Sequence, residues 1–420
     1  MGPAHEPCHS DKMRVIGVIV CLLCVFTSGV HGQSTRAAQL ILISIDGFRW
    51  DYLELYETPN LDRIASRGVH VERLKAAFPT KTFPNHYTVV TGRYPADHGI
   101  ISNNIWDPDL PDRFSLGNRD AVSDGRWWGA EPIWVTAERQ GVRAATYFWP
   151  GSEAEILDTR PTLWKVYDGS ISDSARVDEV LGWFDRPVAE QFGFMTLYFS
   201  DVDSKGHRFG PNSEEVRDAV VAVDIQVGRL LDGLAERGLT DHVDLIVTTD
   251  HGMAETTSER VVILEDYIDP SLLDIIDLYP ALMANVVEGA DTRALVNALH
   301  LAHPALKVWL RDDVPQRLAF EGHKRIPAIV GLVEEGWVIQ PTRAQAYQQR
   351  NWINGGTHGY DPDELTMMGL FVAQGPSFKS GYHIEQLANT ELYAMMCEIL
   401  GITPAVNEGD PMIYRELLAD

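Results

Sequence analysis

Residues 38–47 read AQLILISIDG. A short apolar run rich in isoleucine and closed by an aspartate is the pattern of a strand buried on both faces, with Asp46 carried to its carboxyl end. The pattern returns in VRAATYFW (142–149), FGFMTLYFSD (192–201), VDLIVTTDHG (243–252) and TMMGLFVAQG (366–375). Helical stretches alternate with these runs. TPNLDRIASRG (58–68) offers Thr58 as N-cap, Pro59 as first helical residue and Gly68 as stop, and SEEVRDAVVAVDIQVGRLLDGLAERG (213–238) is a longer helix. Alternation of this kind predicts an open, mostly parallel α/β sheet with helices on both faces. In such sheets ligands bind beyond the carboxyl ends of the strands, where Asp46, Asp203 and Asp250 all fall.

The rhythm breaks between about residues 255 and 355. There ALMANVVEGADTRALVNALHLAHPALKVWLRDD (281–313) and AIVGLVEEGWVIQP (328–341) read as small strands and a helix, an inserted cap within a single catalytic domain spanning 33–420. Residues 106–130 are expected to form a long ordered loop.

The 420 residues carry a formal charge of −25. That balance excludes a protein that coats duplex nucleic acid or an anionic membrane, since such surfaces need basic patches. An anionic substrate would have to be attracted by something other than net side-chain charge, and bound cations serve. At the amino end Lys12 and Arg14 precede VIGVIVCLLCVF (15–26) and a small, polar segment with Val30 and Gly32, the layout of an export signal over residues 1–32. Met13 offers an alternative start. Cleavage after Gly32 would leave no membrane anchor; an uncleaved anchor is the alternative, although the apolar stretch is marginal for a span. Cys8, Cys21 and Cys24 lie in that segment, so the mature chain keeps only Cys397 and no internal disulfide. Export without disulfides points to a bacterial periplasm, with secretion as the other destination.

The chemistry gathers at strand ends. TTDHG sets Asp250 beside His251; DVDSKGHRFG places Asp203 and His207 four apart, so that one helical turn aims both at one cation; NGGTHGYDP puts His358 in a glycine-rich loop. Asp201 competes as a carboxylate and is read as structural. With Asp46 these make six donors on segments that converge on one sheet edge, enough for two zinc sites once a hydroxyl and substrate oxygens join. In AFPTKTFPNH (77–86) Pro84 suits the first turn of a helix, which leaves Thr82 at the open N–H groups of its amino end. A zinc-bound threonine there can ionise near neutral pH and attack phosphorus.

SIDGFRWDYL (44–53), FPTKTFPNHYTVVTGRYPADHGIISNNIWDP (78–108), YFWPGSEA (147–154), YFSDVDSKGHRFGP (198–211), VTTDHGM (247–253) and GTHGYDP (356–362) resemble, in order, the successive motifs of the nucleotide pyrophosphatase/phosphodiesterase family of the alkaline phosphatase superfamily. The resemblance spans roughly residues 38–405 and implies an alkaline-phosphatase-like fold with two zinc ions per subunit. It implies one zinc at Asp46, Thr82, Asp250 and His251, and the other at Asp203, His207 and His358. It makes Thr82 the nucleophile of a covalent nucleotidyl-threonine and Asn103, with the Thr82 N–H, the donor to the non-bridging phosphate oxygen. Phe83 and Tyr198 resemble the pair that sandwiches a nucleobase, with Tyr167 at the same pocket. His86 and His98 are not ligands in the family; His86 reads as a residue that backs a ligand or packs the helix, His98 as a turn residue, and the role of His323 stays open. The implied activity is release of nucleoside 5′-monophosphates from ATP, dinucleotides or nucleotide diesters. The alternatives within the superfamily are cleavage of choline or lysophospholipid headgroups and hydrolysis of phosphonates.

Overall fold

The computed structural model describes residues 1–2, 38–300 and 302–419. The export signal expected over 1–32 therefore lies, beyond its first two residues, outside the described residues.

Eight strands form the main sheet: β1 Gln39–Ile45, β2 Val69–Lys75, β3 Ala144–Tyr147, β4 Leu163–Trp164, β5 Phe194–Phe199, β6 Val243–Thr248, β7 Gly369–Gln374 and β8 Tyr382–Ala388. Their order is β8-β2-β7-β6-β1-β5-β3-β4. All pairings are parallel except those of β7, which runs against both β6 and β2. The strand that opened the sequence reading is central. Every residue of β1 is buried, and alternate side chains feed different cores, Leu40 and Leu42 one and Ile41, Ile43 and Ile45 the other.

Helices cover both faces, as an apolar strand buried on two sides demands. On one face lie α1 (Pro59–Arg67), α3 (Asp173–Trp183) and the long α5 (Glu214–Glu236); on the other lie α2 (Thr82–Thr91) and α7 (Glu391–Ile399). The remaining labelled helices are α4 (Asp201–Phe209), directly after β5, and α6 (Arg343–Ile353). This is the mixed α/β architecture of the alkaline-phosphatase-like fold.

Thr58 does stand before α1, and Pro59 does open it, but the Thr58 side chain caps nothing. Asp224, reaching across from α5, accepts hydrogen bonds from the Asn60 and Leu61 N–H groups instead. Residues 106–130 are not one long loop. They hold the second strand of a hairpin, Arg113–Ser115 paired with Asn104–Trp106, then helical turns at Arg119–Val122 and Gly125–Trp127. Phe114, Trp127 and Trp128 anchor this segment in the core.

Between β6 and β7 the chain builds a second sheet. Strands Leu273–Asp277, Ala281–Val286, Ile329–Val333 and Leu306–Leu310 pair antiparallel in that order, and helix Thr292–His300 packs on them around a separate hydrophobic cluster. The first of these strands carries a bulge between Ile275 and Asp277.

Candidate active site

Three adjacent strands end at one place. β1 delivers Asp46, β6 runs into Asp250 and His251, and β5 leads into α4, which carries Asp203 and His207. Gly47 makes the junction possible: its φ is +69°, and a Cβ there would lie 2.9 Å from the Asp203 backbone. Its N–H donates to Asp250 Oδ1 at 3.2 Å.

The six donors form two triads, Asp46–Asp250–His251 and Asp203–His207–His358. In the first, His251 Nε2 lies 2.9 Å from Asp250 Oδ2 and 3.6 Å from Asp46 Oδ1. In the second, Asp203 Oδ1 lies 3.4 Å from His207 Nε2 and 3.7 Å from His358 Nε2. The His251 and His358 rings stack at 3.5 Å where the triads meet. Asp201, the competing carboxylate, is exposed and belongs to neither triad.

The residues fit divalent cations on three counts. First, each histidine has Nδ1 on a backbone carbonyl at 2.9 Å: His207 on Gly356, His251 on Gly252 and His358 on Thr80. A carbonyl only accepts, so Nδ1 carries the proton and Nε2 is left to coordinate, the orientation seen around metal-bound imidazoles. Second, His207 Nε2 and His358 Nε2 face one another at 3.2 Å, two lone pairs that a shared cation reconciles. Third, Asp46 Oδ1 and Asp203 Oδ1 are buried without a hydrogen-bond partner, and Asp250 Oδ2 has only histidine nitrogens beside it, His251 Nε2 at 2.9 Å and His86 Nδ1 at 3.3 Å. Buried carboxylate oxygens are otherwise satisfied.

The titration of the cluster follows from this crowding. Burial, then the charges of Asp250 and Asp203, push Asp46 well above the usual carboxylate range, and burial raises Asp203 to about 7. Burial would raise Asp250 too, but His251 and His86 outweigh it and hold it well below. His251 is pulled down by burial and more strongly up by Asp250, reaching about 9. Burial lowers His207 to about 4 and His358 well below its ordinary value, so both stay neutral. Two dications would remove the competition among three carboxylates for protons.

Thr82 is the first residue of α2, with its Oγ 3.3 Å from His251 Nε2. Asn103 stands beside it: its Oδ1 accepts from the Phe83 N–H at 3.0 Å, which leaves the amide N–H groups to point elsewhere. Phe83, Tyr167 and Tyr198 line one pocket with Thr82, Leu116 and Trp149. Tyr198 does more than supply a ring, because its hydroxyl donates to Asp46 Oδ2 at 2.6 Å. A second cavity of about 250 Å³ opens beside His207 and His358, with Tyr279 and Trp352 on its walls. Trp352 lies over the His207 ring at 5.7 Å.

His86 is held by the Thr82 carbonyl through Nδ1 and by Ser44 through Nε2, while His98 bonds Thr88 and accepts from the Ile100 N–H. Both pack the elements around α2. The sequence reading missed Lys81, Ser102 and Asp277, which meet at the site although the last comes from the inserted sheet. A pair separated by 196 residues leaves no local signal.

Residues 40–361 match the family model described as type I phosphodiesterase / nucleotide pyrophosphatase. A venom phosphodiesterase of Macrovipera lebetinus is 40% identical over 393 residues, covering 90% of this chain and 45% of that protein. This chain thus spans about half the length of the venom enzymes it matches. The bis(5′-adenosyl)-triphosphatase enpp4 of Xenopus laevis is 35% identical over 97% of this chain and 87% of its own. The structure of human ectonucleotide pyrophosphatase/phosphodiesterase 5 superposes with a TM-score of 0.86 at 34% identity, covering 91% of this chain and 100% of that one. The murine counterpart, an inactive threonine-to-alanine variant in complex with AMP, matches equally, with a TM-score of 0.86.

Proposed function

Because the chain belongs to the type I phosphodiesterase/nucleotide pyrophosphatase family, we propose that it hydrolyses nucleotide phosphodiester and pyrophosphate bonds through a threonyl-nucleotide intermediate, aided by two zinc ions. The observation that carries this reading is the threonine hydroxyl at a helix amino end, 3.3 Å from His251 and flanked by two Asp/His triads. Mixed carboxylate and imidazole donors suit zinc. Asp46, Asp250, His251 and Thr82 would hold one ion, and Asp203, His207 and His358 the other. Bound there, the cations would withdraw charge from phosphoryl oxygens and make a coordinated alcohol acidic near neutral pH.

Thr82 Oγ attacks the α-phosphorus, the phosphorus–oxygen bond to the leaving group breaks in line, and the hydroxyl proton passes to solvent. Water then cleaves the threonyl ester, which restores the hydroxyl and frees a nucleoside 5′-monophosphate. The Asn103 amide and the Thr82 N–H donate to the non-bridging oxygen on which charge develops. Phe83 and Tyr198 hold the base by stacking, which every base offers, so base selectivity is weak. The names of two relatives support a nucleotide substrate, a bis(5′-adenosyl)-triphosphatase and an AMP complex, and the inactive threonine-to-alanine relative supports a threonine nucleophile.

Export is part of the proposal. It rests on the amino-terminal segment and accords with relatives that are venom and ectoenzymes. No helix among the described residues is long and apolar enough to cross a membrane. A bacterial periplasm is suggested by the form of that segment and by the lone mature Cys397 alone, since the relatives compared are animal proteins.

The test is turnover of three chromogenic substrates, a nucleotide diester, a choline phosphodiester and a phosphonate, with metal content by elemental analysis. The nucleotide diester should be preferred, chelation should abolish turnover, zinc should restore it, and Thr82→Ala should lower kcat by at least about a thousandfold. Preference for either other substrate, or a chain active without metal, overturns the proposal.

A further inference from the structure

We propose that Asp277, contributed by the inserted sheet, is a positioning residue that fixes the nucleophile and the oxyanion donor relative to one another. One carboxylate oxygen, Asp277 Oδ2, receives both Lys81 Nζ at 2.6 Å and the Ser102 hydroxyl. Lys81 immediately precedes Thr82, and Ser102 immediately precedes Asn103. The carboxylate therefore joins the two segments whose separation sets how phosphorus meets Oγ and where its oxygen meets the amide.

The surroundings make the joint rigid. Lys81, Ser102 and Asp277 are 3%, 0% and 7% exposed, so little water reaches these bonds even though Lys81 and Asp277 edge the cavity beside His207 and His358. Asp277 sits at the strand bulge, a device that re-aims a side chain beside a site, and its other oxygen accepts from the Leu278 N–H at 2.9 Å. The Lys81 stem is held as well. It runs past Gly359, next to His358, where φ is +111° and a Cβ would lie 3.1 Å from Lys81 Cε and 2.7 Å from Pro280. A third bond, Phe83 N–H to Asn103 Oδ1, closes the loop between the same two segments. Lys81 is thereby committed to Asp277, and it reaches the site as a strut.

A strut acts on the transition state more than on substrate binding, because misplacement of reacting groups by a fraction of an ångström mainly raises the barrier. Asp277→Asn should lower kcat on a nucleotide diester by about tenfold to a hundredfold with KM and the AMP dissociation constant changed less than about twofold. Ser102→Ala, which leaves the ion pair in place, should lower kcat by about tenfold in the same pattern. In an Asn103→Ala background, where the aligned donor is already gone, either change should cost less than about twofold. The inference falls if Ser102→Ala keeps parental kcat, if its loss is the same in the Asn103→Ala background, or if KM alone moves. Ser102→Ala decides the matter should Asp277→Asn fail to fold. The proposal rests on Thr82 as nucleophile, so Thr82→Ala is measured alongside. Turnover by that variant sinks the functional reading, whereas an inactive Thr82→Ala beside fully active Ser102→Ala and Asp277→Asn sinks only this one.

Discussion

Tyr198 shows how one residue can serve two neighbours. Its ring lines the pocket that Phe83 and Thr82 also line, and its hydroxyl holds Asp46 Oδ2 while Asp46 Oδ1 stays open. Partners that orient a ligating group are typically worth about 10–100-fold in metal affinity. Tyr198→Phe keeps the stacking surface and removes the donor. Its expected signature is an unchanged KM for nucleotide diesters, with zinc lost at chelator concentrations about tenfold or more below those needed for the parent, followed by elemental analysis. A raised KM with unchanged zinc retention would assign Tyr198 to substrate alone. Five of the six clustered donors were legible in the sequence because they stand at the end of an apolar run or in a short Asp/His spacing, and His358 because it sits in a glycine-rich loop. The hydroxyl's bond to Asp46 was not, since nothing local to residue 198 reports what lies 152 residues away.

The same division appears among the elements. Strands buried on both faces, β1, β3, β5, β6 and β7, announce themselves as continuous apolar runs. Three escaped notice: β4, only two residues long, and the pair β2 and β8, of which β2 alternates roughly between buried and partly exposed residues while β8, at the sheet's edge, buries only Leu387. The sequences of that pair, VHVERLK and YHIEQLA, carry too many polar residues to stand out. Capping fails for a related reason. The propensity rule picked Thr58 from the sequence, whereas tertiary structure supplied Asp224, buried at 1% exposure and bonded to two N–H groups and the Asn60 side chain. Asp224→Ala removes the cap and leaves buried donors unpaired, so it should destabilise the fold by about 2–3 kcal/mol. Thr58→Ala, by contrast, loses the bond to Asp62 and a buried methyl but no cap, and should cost about 1 kcal/mol. Denaturant titration of both variants checks the ranking, and equal losses would return the cap to Thr58.

At the scale of the molecule, the inserted sheet is bound to the main body by buried polar groups as well as apolar ones. Arg325 from the insert pairs with Asp107 and donates to the carbonyls of Gly99, Arg126 and Trp127. Beside it, His323 packs on Gly99 next to His98, which lies under α2. Burial lowers His98 to about 3 and, with the Arg325 charge, lowers His323 to about 4, both below the ordinary value of 6.5. Histidines depressed in the folded state take up protons on unfolding, so the stability they confer is complete above pH 6.5 and is lost as pH falls from there toward 4. Asp203 acts in the opposite sense when metal is absent: raised to about 7, it binds its proton more tightly folded than unfolded and offsets part of the loss. The two contributions separate by mutation. The thermal midpoint of the parent should fall between pH 6.5 and 4, and His98→Gln should flatten that fall by close to one proton's worth of slope, with the metal triads untouched. Identical slopes for parent and variant would mean that the joint between insert and body is not where acid enters the fold.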